Sequence, residues 1–460
     1  MLTPMTLRRA APLALAAVLV SGCAVEVVQG QASPAGDPAL DVSVDEFPVT
    51  GASDEPIDQV ARNALADLET FWQQGYPEFF GGEFTPLAGG YFSVDSEDLD
   101  ESLYPETGIG CEEQPTDPEE VAGNAFYDPV CDVVAYDRTL LQELADDYGR
   151  FLVPVVMAHE FGHAVQARVG SPAASIAAET QADCFAGSWT RWVAEGEAEH
   201  SVLRTPELDE LLRGYLLLRD PVGTSAREEQ AHGSYFDRVA AFQEGFDSGA
   251  EACRDNFDDG RLFTQGPLRD IEVSSGGNAP YGELLEIVGD TLPEVWEQTF
   301  DQLLDERFEA PAIEPFDGDP PACAPDEDLD LVYCADEQLV GFDEADLAEP
   351  AYELGDFAVA TAIALPYGLA VRDQLGLSTD DEEAVRSAVC LSGWYTNVLF
   401  RDDPRTRVIS AGDVDESVQF LLAFGNEPSV VPAADLTGFQ LVDLFRNGFV
   451  EGLDACGLEG

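Results

Sequence analysis

An internal repeat constrains the fold of this chain more than any other feature of its sequence. At a shift of 206 residues, the run His159–Val165 aligns with Leu365–Val371. The same shift, without a gap, aligns Cys184 with Cys390, and nearby shifts bring flanking aromatic, glycine and cysteine positions into register. Because chance similarity of one helix would not bring both flanks along in order, the sequence predicts two homologous domains in tandem.

The repeat and the character of the N-terminus set the predicted boundaries within the 460 residues. The predicted organisation is a signal peptide at 1–22, a flexible tether at 23–44, a first domain at 45–260, a linker at 261–267 and a second domain at 268–460. The linker ends on Gly266-Pro267, a dipeptide typical of loops.

The N-terminal segment is typical of export. Arg8 and Arg9 precede an apolar run at 10–20 that is too short to span a bilayer as a mature helix. The following Val20-Ser21-Gly22-Cys23 resembles the lipobox of bacterial lipoproteins, which implies a lipid on Cys23 and a place on the outer face of the cell membrane. The alternative is an ordinary cleaved signal with an incidental cysteine.

The charge balance narrows the possible partners. The chain has 90 Asp and Glu against 22 Lys and Arg, and none of the 22 is a lysine. A formal net charge of -68 repels polyanions, so nucleic acid is excluded as an expected partner. The acidic residues are expected to form a solvated surface, and a dedicated role in binding cationic ligands is the sharper alternative.

The cysteines predict disulfides. Nine are present, and setting aside Cys23 leaves an even number in an exported protein. Each copy of the repeat has two cysteines in its first half, one near the middle and one at its end. The simplest pairing that follows is Cys111–Cys131, Cys184–Cys253, Cys323–Cys334 and Cys390–Cys456. Sequence alone does not fix this connectivity.

A metal-binding motif lies in a predicted helix at 151–169. His159 and His163 are four residues apart and therefore project from one face of the helix, with Glu160 beside them. This is the H-E-x-x-H arrangement, which gives zinc two imidazole ligands and places a carboxylate near the metal-bound water. The alternative for the motif taken alone is a surface helix with two stray histidines.

The next predicted helix supplies the remaining parts of a zinc site. Glu179 is the candidate third ligand, and Asp183, one turn later, is expected to accept a hydrogen bond from a ligand histidine. Glu160 is then expected to act as general base on the zinc-bound water. The predicted reaction is hydrolysis of a peptide bond.

These runs resemble the bacterial neutral zinc metallopeptidase family, predicted peptidases related to the gluzincins. The resemblance covers about residues 60–257 and is carried by H-E-F-G-H-A-V-Q from position 159, E-T-Q-A-D-C-F-A-G from 179, and His232-Gly233-Ser234 followed by Arg238. It implies that His159, His163 and Glu179 bind Zn²⁺ and that Glu160 is catalytic. For His232 two roles stay open. It could stabilise the oxyanion, or it could be a residue at the start of a helix or in its packing.

The expected fold is α+β and mainly helical, a zincin-like domain duplicated in tandem. Helices are predicted around 139–149, 151–169, 173–196 and 235–248. A small sheet packed against the zinc helix is implied largely by the resemblance.

The second copy has lost every proposed site residue. Leucines, Leu365 and Leu369, stand at the positions of the two histidines, and Pro366 stands at that of Glu160. Val385 and Val389 replace Glu179 and Asp183, and Asp435 falls opposite His232. We therefore expect no zinc and no hydrolysis in 268–460. Either this copy is a structural partner of the first, or it shapes a substrate cleft between the domains.

Two other functions compete with a peptidase acting on peptide or protein substrates. One is a non-enzymatic surface lipoprotein that uses a peptidase fold as a binding or scaffold module. The other is a zinc hydrolase that acts on a non-peptide amide, such as one in the cell wall.

Overall fold

The structure is a computed structural model that describes residues 40–112, 114–258, 260–304, 307–324, 329–401, 408–432 and 435–458. The predicted signal peptide, Cys23 and most of the predicted tether lie outside the described residues. Helices dominate, with two small mixed sheets, so the predicted mainly helical α+β class is confirmed. Among the described residues, no helix combines the length and apolar character that a membrane span requires.

The helices before residue 260 are α1 (Pro56–Phe79), α2 (Arg138–Tyr148), α3 (Leu152–Val169), α4 (Ser175–Ala194), α5 (Thr205–Leu218) and α6 (Tyr235–Asp255). Those after it are α7 (Tyr281–Thr299), α8 (Glu349–Tyr352), α9 (Asp356–Gln374), α10 (Glu382–Arg401), α11 (Asp413–Phe424) and α12 (Gly438–Val450). The four predicted helices are confirmed as α2, α3, α4 and α6. The last is longer than predicted, because it resumes after a break at Gly249, whose φ is 77°.

The two sheets are built alike. Their strands are β1 (Gly90–Val94), β2 (Ala125–Asp128) and β3 (Val133–Asp137) in one, and β4 (Ala312–Phe316), β5 (Leu331–Cys334) and β6 (Leu339–Asp343) in the other. The orders are β1-β3-β2 and β4-β6-β5. In each sheet the central strand pairs with the first in parallel and with the second antiparallel. Residues 40–258 and 260–458, called here the first and second halves, therefore share one sheet topology.

Close helix packing explains why glycines recur in both halves. A Cβ added to Gly187 of α4 would collide with the carbonyl of Phe242, and one added to Gly245 of α6 would collide with that of Cys184. The same holds in the second half for Gly393 against Phe445 and for Gly448 against Cys390. Only glycine allows these backbones to approach so closely.

All four predicted disulfides are present. Cys184–Cys253 and Cys390–Cys456 link corresponding helix pairs in the two halves, while Cys111–Cys131 and Cys323–Cys334 lie near the sheets. No described bridge joins one half to the other. Each bridge therefore restricts the unfolded chain within its own half.

The end of the predicted tether contacts the first half through Leu40 and Val42. The backbone N–H of Val42 donates to Asn63 Oδ1 of α1 at 3.1 Å, and the Val42 side chain is buried. The N–H of Leu40 donates to the carbonyl of Glu199. Residues 40–44 therefore belong to the first half, because burial of an apolar side chain and paired backbone groups hold them there.

Each half caps a helix of the other. Asp415 of α11 accepts from the N–H groups of Tyr235 and Phe236, the first two residues of α6, at 3.2 and 2.9 Å. Asp209 of α5 accepts from the N–H groups of Gly438 and Phe439, the first two residues of α12, at 2.9 and 2.7 Å. The two carboxylates stand 206 positions apart, so the contact is reciprocal.

Aromatic rings repeat the same reciprocity. Phe236 packs on Phe445 and Phe449 of the second half, with ring centroids 6.1 and 4.8 Å apart. Phe439 packs on rings of the first half, with centroids 6.5 Å from Phe242 and 5.0 Å from Phe246. Edge-to-face packing of this kind adds to the apolar area buried between the halves.

Replacing Asp415 with alanine is expected to destabilise the protein more than the same change at Asp209. Asp415 is buried and also pairs with Arg219 at 2.9 Å, so its loss leaves a charge and two N–H groups unpaired, at about 3 kcal/mol. Asp209→Ala removes the cap and an exposed hydrogen bond from Asn426, worth together about 1 kcal/mol. Denaturant unfolding measures both, with the exposed Glu382→Ala as a control that changes little. Equal losses at Asp415 and Glu382 would contradict this account.

Candidate metal centre

Two histidines of α3 face each other across a short gap. One helical turn separates His159 from His163, and their Nε2 atoms lie 3.2 Å apart. Glu179 of α4 completes a triangle, with Oε2 3.3 Å from His159 Nε2 and 3.5 Å from His163 Nε2. The structure thus brings together the three predicted metal ligands.

The hydrogen bonds on the far side of each ring fix the tautomers. His159 Nδ1 lies 2.8 Å from Asp183 Oδ1, and His163 Nδ1 lies 2.9 Å from Gln166 Oε1. Both oxygens are acceptors, so each Nδ1 donates its proton and each Nε2 points a lone pair into the triangle. Two facing lone pairs and a carboxylate oxygen require a positive charge between them.

The donor set fits zinc. With zinc–nitrogen and zinc–oxygen bonds of about 2.0–2.1 Å, ligand atoms of a tetrahedral site lie about 3.3 Å apart, which the three observed distances match. Two imidazoles and one carboxylate leave one position open, as catalytic zinc sites do. Residues 159, 163 and 179 are therefore suited to hold the ion.

The electrostatics of the site favour a cation. Burial lowers the pKa of His159, but the Asp183 carboxylate, together with Glu179, outweighs burial and raises the pKa to about 10 in the metal-free protein. Burial raises the pKa of Glu179, yet hydrogen bonds with both histidines leave it well below its ordinary value. The centre therefore attracts positive charge, which protons supply when no metal is bound.

A buried arginine holds Asp183 in place. Arg238 of α6 donates from Nε to Asp183 Oδ2 at 2.8 Å and from a terminal nitrogen to Oδ1 at 2.9 Å. The Arg238 guanidinium also donates to the carbonyl of Leu218 at the end of α5. Burial raises the pKa of Asp183, but Arg238 and His159 outweigh it and keep the carboxyl ionised. Two helices thus fix the group that orients His159.

Glu160 is held beside the metal-binding triangle by a strand. Its Oε2 accepts from the backbone N–H of Tyr127 in β2 at 2.8 Å. The side chain is buried, and burial raises the pKa of its carboxyl. β2 is an edge strand of its sheet, so this N–H is free to bind Glu160.

The centre opens into a cavity of about 1170 Å³. His159, Glu160, His163 and Glu179 line it, and every other lining residue falls between positions 123 and 238. The described residues of the second half contribute nothing to its wall. The structure therefore favours a structural role for the second half over a substrate cleft between the halves.

His232 lines the same cavity from a loop before α6. Its side chain is half exposed, and its Nδ1 lies 3.1 Å from Asp220 Oδ1. Asp220 also accepts from the His232 backbone N–H at 2.7 Å, so one carboxylate fixes both the loop and the ring. The geometry places His232 at the cavity wall and not among the candidate metal ligands.

The positions of the second half that align with the metal centre are apolar. A smaller cavity of about 400 Å³ is lined there by Leu365, Pro366, Leu369, Val385 and Val389. None of these side chains offers a metal ligand at neutral pH. That the second half holds no zinc stays a prediction.

Three contributions to the site were not predicted from the sequence. They are the hydrogen bond that His163 donates to Gln166, the ion pair of Arg238 with Asp183, and the hydrogen bond that the Tyr127 backbone N–H donates to Glu160. Gln166 stands three residues after His163, and this helical spacing was the available signal. The other two depend on contacts between distant segments, which spacing does not reveal.

Comparison with known proteins agrees with this site. Residues 118–257 match the family described as "Putative neutral zinc metallopeptidase", which confirms the resemblance predicted from the motifs. No solved structure matches the chain.

Two relatives illustrate how far the similarity extends. The Escherichia coli K12 protein named "Uncharacterized protein YpfJ" is 30% identical over 157 residues, covering 29% of this chain and 53% of the relative. The Mycobacterium bovis protein named "Uncharacterized protein Mb2605" is 26% identical over 159 residues, covering 29% of this chain and 54% of the relative. The chain spans about half the length of these curated relatives.

Removing the Gln166 side chain is expected to weaken zinc binding. Gln166→Ala frees His163 Nδ1 and its tautomer, which typically costs about 10–100-fold in metal affinity. Competition with a fluorescent zinc chelator measures the affinity, and circular dichroism checks the fold. The exposed Gln142→Ala on α2 is the matched control and should bind zinc like the wild type. Unchanged affinity in Gln166→Ala would show that the amide has no such role.

Proposed function

We propose that this protein is a zinc-dependent peptidase that hydrolyses peptide bonds, because residues 118–257 match the family described as "Putative neutral zinc metallopeptidase". The observation that carries the proposal is the placement of the Glu160 carboxylate beside three converging metal ligands at the wall of a large cavity. His159, His163 and Glu179 hold the ion.

Glu160 performs the proton transfers in this proposal. Zinc, when bound, supplies a Lewis acid that polarises the substrate carbonyl and increases the acidity of water. Glu160 accepts a proton from the attacking water and delivers it to the leaving amine. The Tyr127 N–H binds one carboxylate oxygen at 2.8 Å and leaves the other to exchange protons.

His232 is proposed to stabilise the oxyanion of the tetrahedral intermediate. It lines the cavity, and Asp220 accepts from Nδ1, which leaves Nε2 as the second ring position for a proton. A donor aimed at developing negative charge contributes to the chemical step more than to substrate binding.

The cavity suits a peptide chain. Gly123–Tyr127, which includes most of the edge strand β2, forms part of its wall. An extended peptide pairs with an exposed strand edge through its backbone, independently of its side chains. A volume of about 1170 Å³ exceeds the range of ordinary small-ligand pockets, roughly 300–1,000 Å³.

Glu160→Gln is expected to abolish hydrolysis while retaining zinc. Removal of a general base lowers kcat by about 10²–10⁴-fold, whereas the three ligands stay intact. Cleavage of an unfolded protein and of a quenched fluorescent peptide library measures activity, and elemental mass spectrometry measures zinc. The exposed Glu143→Gln on α2 is the control and should match the wild type. Full activity in Glu160→Gln would refute the proposed mechanism.

In the same assay, His232→Ala is expected to lower kcat by about 10²-fold with little change in KM. A purely structural His232 would instead alter thermal stability and leave kcat unchanged.

The assay also separates the competing functions. Zinc binding without cleavage of either peptides or cell-wall fragments would favour a non-enzymatic surface module. Cleavage of wall fragments alone would favour a hydrolase of non-peptide amides.

We propose further that the protein is held on the outer face of the cell membrane by a lipid on Cys23. The support is the signal-like segment with Val20-Ser21-Gly22 before this cysteine. Such a position gives access to peptide or protein substrates outside the cell, and the charge of -68 disfavours nucleic acid.

Cys23→Ser is expected to move the exported protein from the membrane fraction to the medium. Fractionation with immunoblotting, together with labelling by an alkyne fatty acid, measures this change. Equal membrane association of the variant and the wild type would argue against the lipid anchor.

A further inference from the structure

Three carboxylates are buried together in the second half, far along the chain from the metal centre. Asp356 begins α9, and Asp413 and Glu416 lie in the first turn of α11. Their residues are 7%, 2% and 8% exposed, and one carboxylate oxygen from each lies within 4.8 Å of the others. Burying three carboxylates together costs free energy unless a cation or a proton neutralises them.

One oxygen of each group is anchored by a backbone N–H. Asp356 Oδ2 accepts from Ala279 at 2.7 Å, and Asp413 Oδ2 accepts from Ser410 at 2.7 Å. Glu416 Oε2 accepts from Phe357 at 2.8 Å. These bonds fix the three carboxylates from three directions.

The opposite oxygens of the two aspartates have no partner. Asp356 Oδ1 and Asp413 Oδ1 are fully buried and form no hydrogen bond within the described part of the chain. No arginine or histidine pairs with any of the three carboxylates among the described residues. Buried oxygens without partners are rare in folded proteins and call for an explanation such as a bound ion.

The corresponding place in the first half carries different charges. At the shift of 206, Asp356 corresponds to Arg150, Asp413 to Glu207 and Glu416 to Glu210. Burial raises the pKa of the Glu207 carboxyl, and this rise is opposed first by the Arg204 backbone N–H and positive charge and then, more weakly, by the charge of Arg150.

Two glycines confirm that these positions correspond in space. Gly149 and Gly355 both have positive φ, 86° and 145°. A Cβ on Gly149 would contact the Glu210 carboxylate, and a Cβ on Gly355 would collide with that of Glu416. The first half thus supplies a cation from its own chain at a place where the second half has a third carboxylate.

We propose that Asp356, Asp413 and Glu416 form a site for a hard divalent cation, and that calcium is the ion it fits. A site with only oxygen donors favours calcium or magnesium over zinc, because zinc prefers nitrogen and sulfur donors. Atoms bound to one calcium at about 2.4 Å lie at most about 4.8 Å apart, so the spacing of the three oxygens permits a shared calcium without singling it out. Magnesium demands shorter bonds and stricter octahedral geometry.

The ion has a structural consequence. It neutralises the repulsion at the first turn of α11, the turn that also carries Asp415. Asp415 in turn caps α6 of the first half. Calcium binding therefore stabilises the contact between the halves and does not take part in hydrolysis.

Shared protons are the rival explanation. Burial and mutual repulsion raise the pKa of Asp413 and Glu416, and burial raises that of Asp356. A side-chain hydrogen bond between Asp356 and Glu416 further raises the pKa of Glu416, so a shared proton also neutralises the group. Nearby Glu272 adds negative charge, although Arg269 and Ser410 bind it. A carboxyl with a raised pKa in the folded state stabilises less as pH rises.

Calcium binding by the chelator-treated full chain tests the proposal. Isothermal titration in about 0.5 M KCl, which screens diffuse binding to the acidic surface, is expected to show about one saturable calcium. Calcium is also expected to raise the thermal unfolding midpoint. Asp413→Asn should weaken binding at least about tenfold and remove this stabilisation.

Matched variants make the outcome specific. Glu207→Gln, at the corresponding place in the first half, and Glu179→Gln, at the zinc centre, should bind calcium like the wild type. If Asp413→Asn does not fold, Asp356→Asn replaces it.

Two results would overturn the proposal. One is the absence of saturable calcium binding in the wild type, together with a thermal unfolding midpoint that falls from pH 5.5 to pH 8 with or without calcium. This result would indicate that the carboxylates share protons. The other is binding that persists unchanged in both Asp413→Asn and Asp356→Asn.

Discussion

The buried carboxylate of Asp183 is the group on which the metal centre depends. It orients His159 through Nδ1 at 2.8 Å and is itself gripped by two nitrogens of Arg238. Arg238 lies on α6, and the N-terminus of α6 is capped by Asp415 from the second half. A chain of polar contacts therefore connects a candidate metal ligand to the second half. Because each link is buried, breaking one leaves an unpaired charge in a poorly solvated place.

Much of this could be read from the sequence, and the limits have a physical cause. The ligand triangle was predictable because residues four apart share a helix face, so His159 and His163 had to project together. The disulfides were predictable from the repeat, since each copy has its own four cysteines. Three other contacts join segments that are tens to hundreds of positions apart. They are the ion pair of Arg238 with Asp183, the hydrogen bond from the Tyr127 N–H to Glu160, and the cap that Asp415 forms on α6. Their pairing follows from how helices and strands pack, which no local pattern records. The packed residues 40–44 were missed for the same reason.

The two halves share a helix framework and differ at the positions of the metal centre. The glycines that allow α10 and α12 to touch remain, as do the cysteines and the sheet order, whereas the ligand positions have become leucine, proline or valine. The second half has also diverged at the position of Arg150, where Asp356 adds negative charge. Loss of one set of polar groups and burial of another have thus occurred on the same scaffold, and both leave the helix framework intact.

The reciprocal capping by Asp209 and Asp415 sets the protein's stoichiometry. In a symmetric dimer, two copies of one surface contact each other. Here a single chain carries both surfaces. An ordinary dimer of identical subunits would have two catalytic centres and would dissociate on dilution. This chain has one candidate centre for every two folded units, and that ratio is independent of concentration. The second half therefore acts as a permanently bound subunit, and cutting it away would expose the start of α6 and the support behind His159.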